Sequence, residues 1–237
     1  MVFCYIPKIA CSQWQMMFIT LTGKVNTSLL NLGNVHKKYR SKLKFLSGYS
    51  LGKRKIILEK YKKYIVVRNP LERILSAYRN KLVPTGTHYQ FGNIRKIIVK
   101  RYRANTSPNS EGEYVVNFLE FVKFLIDEKP EYYNSHWRRY TSLCLPCVIK
   151  YDFVGKYETI NRDADFILKE IGVPPNIRFP QRSETYKTVA TVKTFEKFYS
   201  QIPTEYIRKL MNIYQSDYDL FGYPKSLNLQ NNTISLK

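Results

Sequence analysis

Two short apolar runs, each passing through a brief loop into an amphipathic helix, constrain this chain more than any other feature. Residues 2–6 (Val-Phe-Cys-Tyr-Ile) read as a buried strand that Pro7 and Lys8 end. Ser12 then stands as an N-cap with Gln15 three residues on, a capping-box spacing. Trp14, Met17, Phe18 and Leu21 follow at i, i+3, i+4 and i+7, one apolar helix face, and Gly23 is placed to close it. The second unit repeats the pattern. Residues 64–67 (Tyr-Ile-Val-Val) form a strand, Arg68 sits at its carboxyl end, Asn69 is an N-cap, Pro70 fits the first helical position, and Glu72 completes a capping box. Leu71, Ile74, Leu75, Tyr78 and Leu82 make the buried stripe, with Glu72, Ser76 and Arg79 on the other side.

Such junctions place free backbone N–H groups and the positive end of a helix dipole at a strand's carboxyl end, which is where anions bind in open α/β sheets. Lys8 adds a full charge to the first junction. Arg68 and Ser76 offer a bidentate guanidinium and a hydroxyl at the second. A plain strand-to-helix connection, or Arg68 paired with Glu72, fits the same residues. The first loop is not a Walker A loop, because G-x-x-x-x-G-K-[ST] is absent.

Charge points to the kind of partner. Thirty-nine Lys and Arg against 18 Asp and Glu leave a formal charge of +21, so a polyanion is expected: nucleic acid, an anionic membrane, or a sulfated or carboxylated polysaccharide. The basic residues cluster in residues 37–40, 53–55, 60–63 and 95–103. At 237 residues the chain suits one domain with a core of its own, and 44% hydrophobic residues exclude a disordered composition. The longest apolar run, residues 16–21, is far too short to span a bilayer, and the N-terminus carries no secretory signal pattern.

The four cysteines are too few for a disulfide scaffold. Cys144-Leu145-Pro146-Cys147 has redox or half-zinc-site spacing, but no second pair or paired His follows, so no metal site is assigned. The pair reads as a local disulfide or two buried thiols. Sequons at Asn26, Asn105 and Asn231 would allow glycosylation in a lumenal protein. Further along, Asn117 caps a helix over residues 118–126 with Leu119, Val122 and Ile126 toward the core. Residues 148–154 read as a strand, residues 160–171 as a helix stopped by Gly172 and Pro174, and residues 203–214 as the last helix.

The stretch Tyr5-Ile6-Pro7-Lys8-Ile9-Ala10-Cys11-Ser12-Gln13-Trp14 resembles the 5′-phosphosulfate loop of Golgi carbohydrate sulfotransferases. Val67-Arg68-Asn69-Pro70-Leu71-Glu72-Arg73-Ile74-Leu75-Ser76-Ala77-Tyr78-Arg79-Asn80-Lys81 is similar to their 3′-phosphate motif. His136-Trp137, Ser142-Leu143-Cys144-Leu145-Pro146-Cys147, Tyr151-Asp152-Phe153-Val154-Gly155-Lys156-Tyr157-Glu158-Thr159 and Tyr218-Asp219-Leu220-Phe221-Gly222-Tyr223 match in the same order. The branch resembled holds the chondroitin and dermatan 4-sulfotransferases and the glucuronyl 3-sulfotransferase.

That resemblance implies an α/β fold of P-loop-like, three-layer type, a central parallel sheet flanked by helices. It implies a catalytic domain over residues 1–224, with residues 225–237 left as a polar C-terminal tail. The implied donor is 3′-phosphoadenosine 5′-phosphosulfate (PAPS), and no metal. By position, Pro7, Lys8, Ile9, Ala10, Cys11, Ser12, Gln13 and Trp14 would hold the 5′-phosphosulfate, and Arg68 and Ser76 the 3′-phosphate. Lys8 would stabilise charge on the leaving phosphate. A sugar hydroxyl needs a general base, and of His36, His88 and His136 the last lies in a matched segment and is the candidate, with a structural histidine beside Trp137 as the alternative. The acceptor implied is an anionic polysaccharide or glycan, most specifically the 4-hydroxyl of N-acetylgalactosamine in chondroitin or dermatan, with residues 53–63 and 95–103 as possible groove lining. No nucleic acid is expected. The family enzymes are lumenal Golgi domains behind an N-terminal membrane anchor, so a truncated N-terminus is expected here.

Two departures stand out. Where the family loop continues Trp-Lys-Arg or Trp-Lys-Lys, this chain reads Trp14-Gln15-Met16, so a basic contact is either lost or supplied by another lysine. Asn69 replaces an acidic residue and keeps the cap. Rival readings are a catalytically weak polysaccharide-binding member, a basic nucleic-acid-binding protein and a P-loop kinase. The second explains the charge but none of the ordered motifs, and the third lacks G-K-[ST].

Overall fold

The computed structural model describes residues 1–26, 30–31, 35–83, 89–182, 189–229 and 232–235. In chain order its main elements are β1 (Val2–Phe3), α1 (Cys11–Leu21), α2 (Leu51–Lys60), β2 (Lys63–Val67), α3 (Pro70–Lys81), α4 (Gly92–Tyr102), α5 (Phe118–Asp127) and α6 (Tyr140–Cys144). β3 (Phe153–Lys156), α7 (Ile160–Glu170), α8 (Phe195–Tyr199), α9 (Thr204–Ile213), α10 (Gln215–Phe221), β4 (Ser226–Leu229) and β5 (Asn232–Ser235) follow. They fall into two compact units, Met1–Arg68 with Cys144–Thr188, and Asn69–Leu143 with Val189–Lys237. The α/β expectation holds: the chain is built on a parallel three-stranded sheet with helices around it.

In the first unit the sheet order is β1-β2-β3, with Val2 opposite Lys63 and Val66 opposite Gly155. β2 is central, and Tyr64, Ile65, Val66 and Val67 are all buried, as a continuous apolar run in a parallel sheet demands. Gly155 sits at a close approach of its neighbours. A Cβ there would lie 3.3 Å from Val66 Cγ2 and 3.2 Å from Phe153 Cε1. α7 covers the sheet with Ala164, Ile167 and Leu168, and Gly172, at φ 75°, ends that turn as expected.

Three expectations in this unit are corrected. β1 pairs over Val2 and Phe3 and no further, with one more ladder bond from Cys4 N to Tyr64 O at 3.0 Å. Beyond it Pro7 has no N–H to donate and Lys8 turns left-handed, so the strand cannot run on to Ile6. β3 begins at Phe153 rather than Val148, because residues 145–149 close a turn in which Val148 and Ile149 both donate to the Leu145 carbonyl. Leu145 sits at φ 48°. The cysteine pairing also differs. Cys4 is joined to Cys144 across 140 residues, while Cys147 is exposed and free and Cys11 is a free thiol. A long-range bridge of this kind removes denatured-chain entropy that a four-residue loop would not.

The second unit is helical. α3 buries the expected Leu71, Ile74, Leu75 and Tyr78, with Leu82 just past its end, and each fully buried side chain of this size contributes about 1.5–3 kcal/mol. The Tyr78 and Tyr199 hydroxyls donate to the carbonyls of Val116 and Leu71 at 2.9 and 2.8 Å, which satisfies those two buried polar tips. α5 starts with the full reciprocal capping box between Asn117 and Glu120. Its buried face is Phe118, Phe121, Val122 and Leu125, so Leu119 and Ile126 are only half-buried and the expected phase is corrected by one position. The i, i+3, i+4, i+7 stripe starting at Phe118, just after the cap, wins because it carries two aromatics. α10 follows the helix read as the last and buries Asp217, Tyr218 and Phe221. β4 and β5, within the stretch expected to be a tail, pair antiparallel with Ser226 opposite Ser235.

Candidate functional site

The β1–α1 loop lies wholly in the first unit. After Cys4 the chain passes through two non-glycine left-handed residues, Lys8 at φ 74° and Ala10 at φ 50°. Each such residue costs on the order of 1–3 kcal/mol and persists where surrounding packing overdetermines it. That packing is visible: Ile6, Pro7, Ile9 and Ala10 are buried around the turn. The conformation has a consequence for α1. The helix starts one residue earlier than expected, at Cys11, with left-handed Ala10 as N-cap and no side-chain cap bond. The Ser12–Gln15 capping box is therefore not formed. Ser12 lies inside the first turn, where its Oγ is 2.6 Å from His36 Nε2. A first turn without a side-chain cap, behind a lysine, leaves helix N–H groups for an outside acceptor such as a phosphate or sulfate oxygen.

The side chains of this loop mostly face inward. Trp14 packs against Phe3, Phe18 and Phe179, with ring centroids 4.7, 5.4 and 4.6 Å away. Gln13 Nε2 donates to Pro180 O at 2.6 Å. Only Lys8 and Cys11 are more than marginally exposed between Pro7 and Trp14. Backbone amides and Lys8, rather than the other side chains, are thus what the loop presents to an anion. Gln15, in place of the family's lysine, is buried, and neither of its amide atoms has a hydrogen-bond partner among the described residues. Burial would raise the Cys11 thiol, but the hydrogen bond and charge of His36, with the Lys8 ammonium, outweigh it and bring it down to about 7.

Arg68, at the end of β2, is only 3% exposed. Its guanidinium lies over the Tyr157 ring at 4.3 Å, and one nitrogen donates to Lys8 O at 3.4 Å. The fold therefore brings two of the expected site residues together, Lys8 and Arg68, although 60 positions separate them. Tyr157, which follows β3, and His36 are the partners that the residue patterns did not single out. An aromatic directly after a parallel strand, inside a matched motif, was the one available signal for Tyr157.

The second unit holds the remaining expected residues. Asn69 caps α3 as read, its Oδ1 accepting from Leu71 N at 3.0 Å and Glu72 N at 3.3 Å. Ser76 is half-buried on the same helix. Arg79 donates to Thr194 Oγ1 and Val189 O. His136 is half-buried, with Nδ1 2.6 Å from Asn134 Oδ1 and its ring edge-on to Phe91 at 5.4 Å. Asn134 Oδ1 also accepts from His136 N at 3.1 Å and is therefore placed to accept from Nδ1–H, the tautomer in which Nε2 is the basic nitrogen. The segment is held from α3. Buried Arg73 donates to Ser135 O at 2.9 Å and Arg138 O at 2.7 Å and lies over Tyr140 at 4.9 Å. Asp217 anchors the same region by accepting from Tyr140 N, and burial pushes its carboxyl up to about 6 despite that bond and the nearby Arg73.

The basic runs are not equally available. Lys53, Lys55 and Lys60 are exposed along α2. Arg95 is buried and paired with Glu113 at 2.7 Å, and Arg103 pairs with Glu120. The 95–103 stretch thus buries one of its cations, Arg95, and commits an exposed one, Arg103, to an ion pair within the protein. Among the described residues no cluster of His, Cys, Asp and Glu could hold a metal, and no helix is long and apolar enough to cross a membrane. His88 and Asn231 lie outside the described residues.

Comparison with known proteins agrees with this geometry. The sulfotransferase family matches residues 1–224. Carbohydrate sulfotransferase 14 of Mus musculus is 38% identical over 229 residues, which cover 94% of this chain and 57% of that protein. Carbohydrate sulfotransferase 11 of Rattus norvegicus is 34% identical over 232 residues, 94% of this chain and 64% of that one. Carbohydrate sulfotransferase 9 of Homo sapiens is 32% identical over 237 residues, 93% and 50%. The chain spans between half and two-thirds of the length of these relatives. No solved structure matches it. With a match over nearly its whole length and an uncapped, lysine-guarded helix start at the motif that carries it, the chain belongs to the sulfotransferase family.

Proposed function

We propose that this chain transfers the sulfuryl group of PAPS to a glycan hydroxyl, most specifically the 4-hydroxyl of N-acetylgalactosamine in chondroitin or dermatan. The observation that carries the reading is the start of α1: left-handed Lys8 and Ala10, no side-chain cap, and Arg68 bonded to the back of the same loop. Relatives of 32–38% identity bearing the name carbohydrate sulfotransferase support a sugar acceptor. The 4-hydroxyl assignment rests on the resemblance of the 144–159 motifs alone.

In this reading the acceptor oxygen attacks sulfur as the bond from sulfur to the bridging phosphate oxygen breaks, leaving 3′-phosphoadenosine 5′-phosphate. Lys8 and the amides of the first turn of α1 stabilise the negative charge that grows on the leaving phosphate. Arg68 and Ser76 hold the 3′-phosphate, Arg68 as a planar two-point donor. His136 takes the acceptor's proton on Nε2 while Asn134 keeps Nδ1–H oriented. The exposed lysines of α2 attract a carboxylated chain at long range. A lumenal Golgi setting accords with the Cys4–Cys144 disulfide and with exposed sequon residues Asn26 and Asn105.

The test is sulfate transfer from labelled PAPS to desulfated chondroitin, dermatan and heparosan. Transfer to the first two is expected, reduced at least 100-fold in His136→Ala. Full transfer in His136→Ala would remove the base assignment. Transfer only to heparosan would replace the acceptor, and absence of 3′-phosphoadenosine 5′-phosphate binding would overturn the reading.

A further inference from the structure

The segment after the first helix does more than connect. Val35 and Tyr39 are buried against Ile19 on α1, with Met16, Val25, Leu30 and Leu43 packed around them. This small apolar cluster pins residues 35–43 to the helix at a fixed register. Two polar side chains between its anchors are thereby delivered to the β1–α1 loop. His36 sets Nε2 2.6 Å from Ser12 Oγ, also hydrogen-bonds Cys11, and stands edge-on to Tyr5 at 6.3 Å. Arg40 lies over Tyr5 at 5.3 Å and over Phe45 at 4.7 Å.

We propose that His36 is a positioning residue of the donor site, which fixes the first turn of α1 in its anion-binding orientation by holding Ser12. The argument is one of competition. Ser12 was placed to cap α1, and its hydroxyl would satisfy the very N–H groups that a phosphosulfate must reach. Bonded to His36 instead, Ser12 stays inside the turn and the helix starts from Ala10, whose methyl can cap nothing. His36 thus helps keep the turn uncapped, and Tyr5, itself under the Arg40 guanidinium, stands edge-on to the imidazole. Without His36, Ser12 rotamers that bond the local backbone become available, and the donor must displace them. The inference rests on the donor reading above, and it predicts an effect on donor affinity with little on the acceptor.

The experiment measures binding of 3′-phosphoadenosine 5′-phosphate by calorimetry, with KM for PAPS and for chondroitin, in wild type, His36→Ala, His36→Gln, Ser12→Ala and the Ser12→Ala/His36→Ala double variant. Loss of one hydrogen bond that orients a loop should weaken nucleotide binding and raise the PAPS KM roughly 5- to 10-fold in His36→Ala, with the chondroitin KM unchanged. His36→Gln, whose amide nitrogen reaches where Nε2 stood, should recover most of that loss. The double variant should bind as Ser12→Ala does and not show the His36→Ala loss, because a Ser12 without a hydroxyl cannot compete. Should His36→Ala not fold, His36→Gln and Ser12→Ala still decide. A double variant that binds nucleotide as Ser12→Ala does supports His36 acting through Ser12, and an additive loss in the double variant overturns it. Wild-type affinity in His36→Ala, or equal losses for PAPS and chondroitin, would overturn the proposal while leaving the transferase reading intact. Wild-type protein that binds no nucleotide would overturn both.

Discussion

The starts of α1 and α3 follow the same strand, loop and helix pattern and end in opposite electrostatic states. α1 opens from left-handed Ala10 with no side-chain cap, and the hydroxyl that was placed to cap it is held by His36. α3 opens from Asn69, whose side chain already accepts from two first-turn amides, behind a proline that has no N–H to offer. A helix end can bind an anion through its backbone only if nothing in the chain has taken its donors. In the proposed function the first site therefore works through amides and Lys8, and the second through the side chains of Arg68 and Ser76. Backbone strain marks the first site, and ordinary helix-capping chemistry marks the second.

The sharpest way to break this comparison is at Lys8. Lys8→Ala should cut kcat by about 10²–10³, the usual cost of one preorganised charge donor, with the melting temperature nearly unchanged. A loss confined to the PAPS KM would place Lys8 in ground-state binding instead.

Asp217 tests how firmly the second unit holds the His136 segment. Its carboxyl is raised from the ordinary range to about 6 by burial, so the folded state binds this proton more tightly than the unfolded chain. The stability this group contributes is present below about pH 4 and is lost as pH rises through about 6. A shift of this size corresponds to about 3 kcal/mol. Denaturant unfolding between pH 4 and 7 should show that downward component in wild type and lack it in Asp217→Asn. Identical pH profiles would show that Asp217 keeps its proton equilibrium unperturbed.

Asn69→Ala should cost about 1 kcal/mol by removing the cap, read as a lower denaturation midpoint with unchanged m. It should also free two first-turn amides. Nucleotide affinity that rises in this variant would show that capping suppresses anion binding at α3, sharpening the contrast. Ala10→Gly is the smallest change. Relief of a left-handed alanine, offset by the greater freedom of glycine in the unfolded chain, should stabilise by no more than about 1 kcal/mol. Destabilisation would mean that Ala10 is not strained.

Legibility differed between the two junctions for reasons visible in particular residues. At α3 the cap, the proline and the apolar stripe are all local, within one turn of each other, and all three were readable. At α1 the same local rule pointed to Ser12 and misplaced the helix start, because a partner 24 residues away captured the hydroxyl. β3 was misplaced for a related reason. Val148 and Ile149 have strand propensity, but their amides are committed to the Leu145 carbonyl in a turn. The candidate residues Lys8 and Arg68 were legible as motif positions. Their contact, the Tyr157 ring over Arg68 and the link from Cys4 to Cys144 were not.

Taken alone, then, the amino-acid order determined what depends on near neighbours: the two strand-to-helix junctions, the helix periods, the caps at Asn69 and Asn117, and the excess of positive charge. Tertiary structure decided which donors remain available and which cations are buried in the protein's own contacts, as with Arg73 and Arg95. The physical reason is that a polar group's function depends on whether it is already satisfied, and its partner is chosen by packing between residues far apart in the chain.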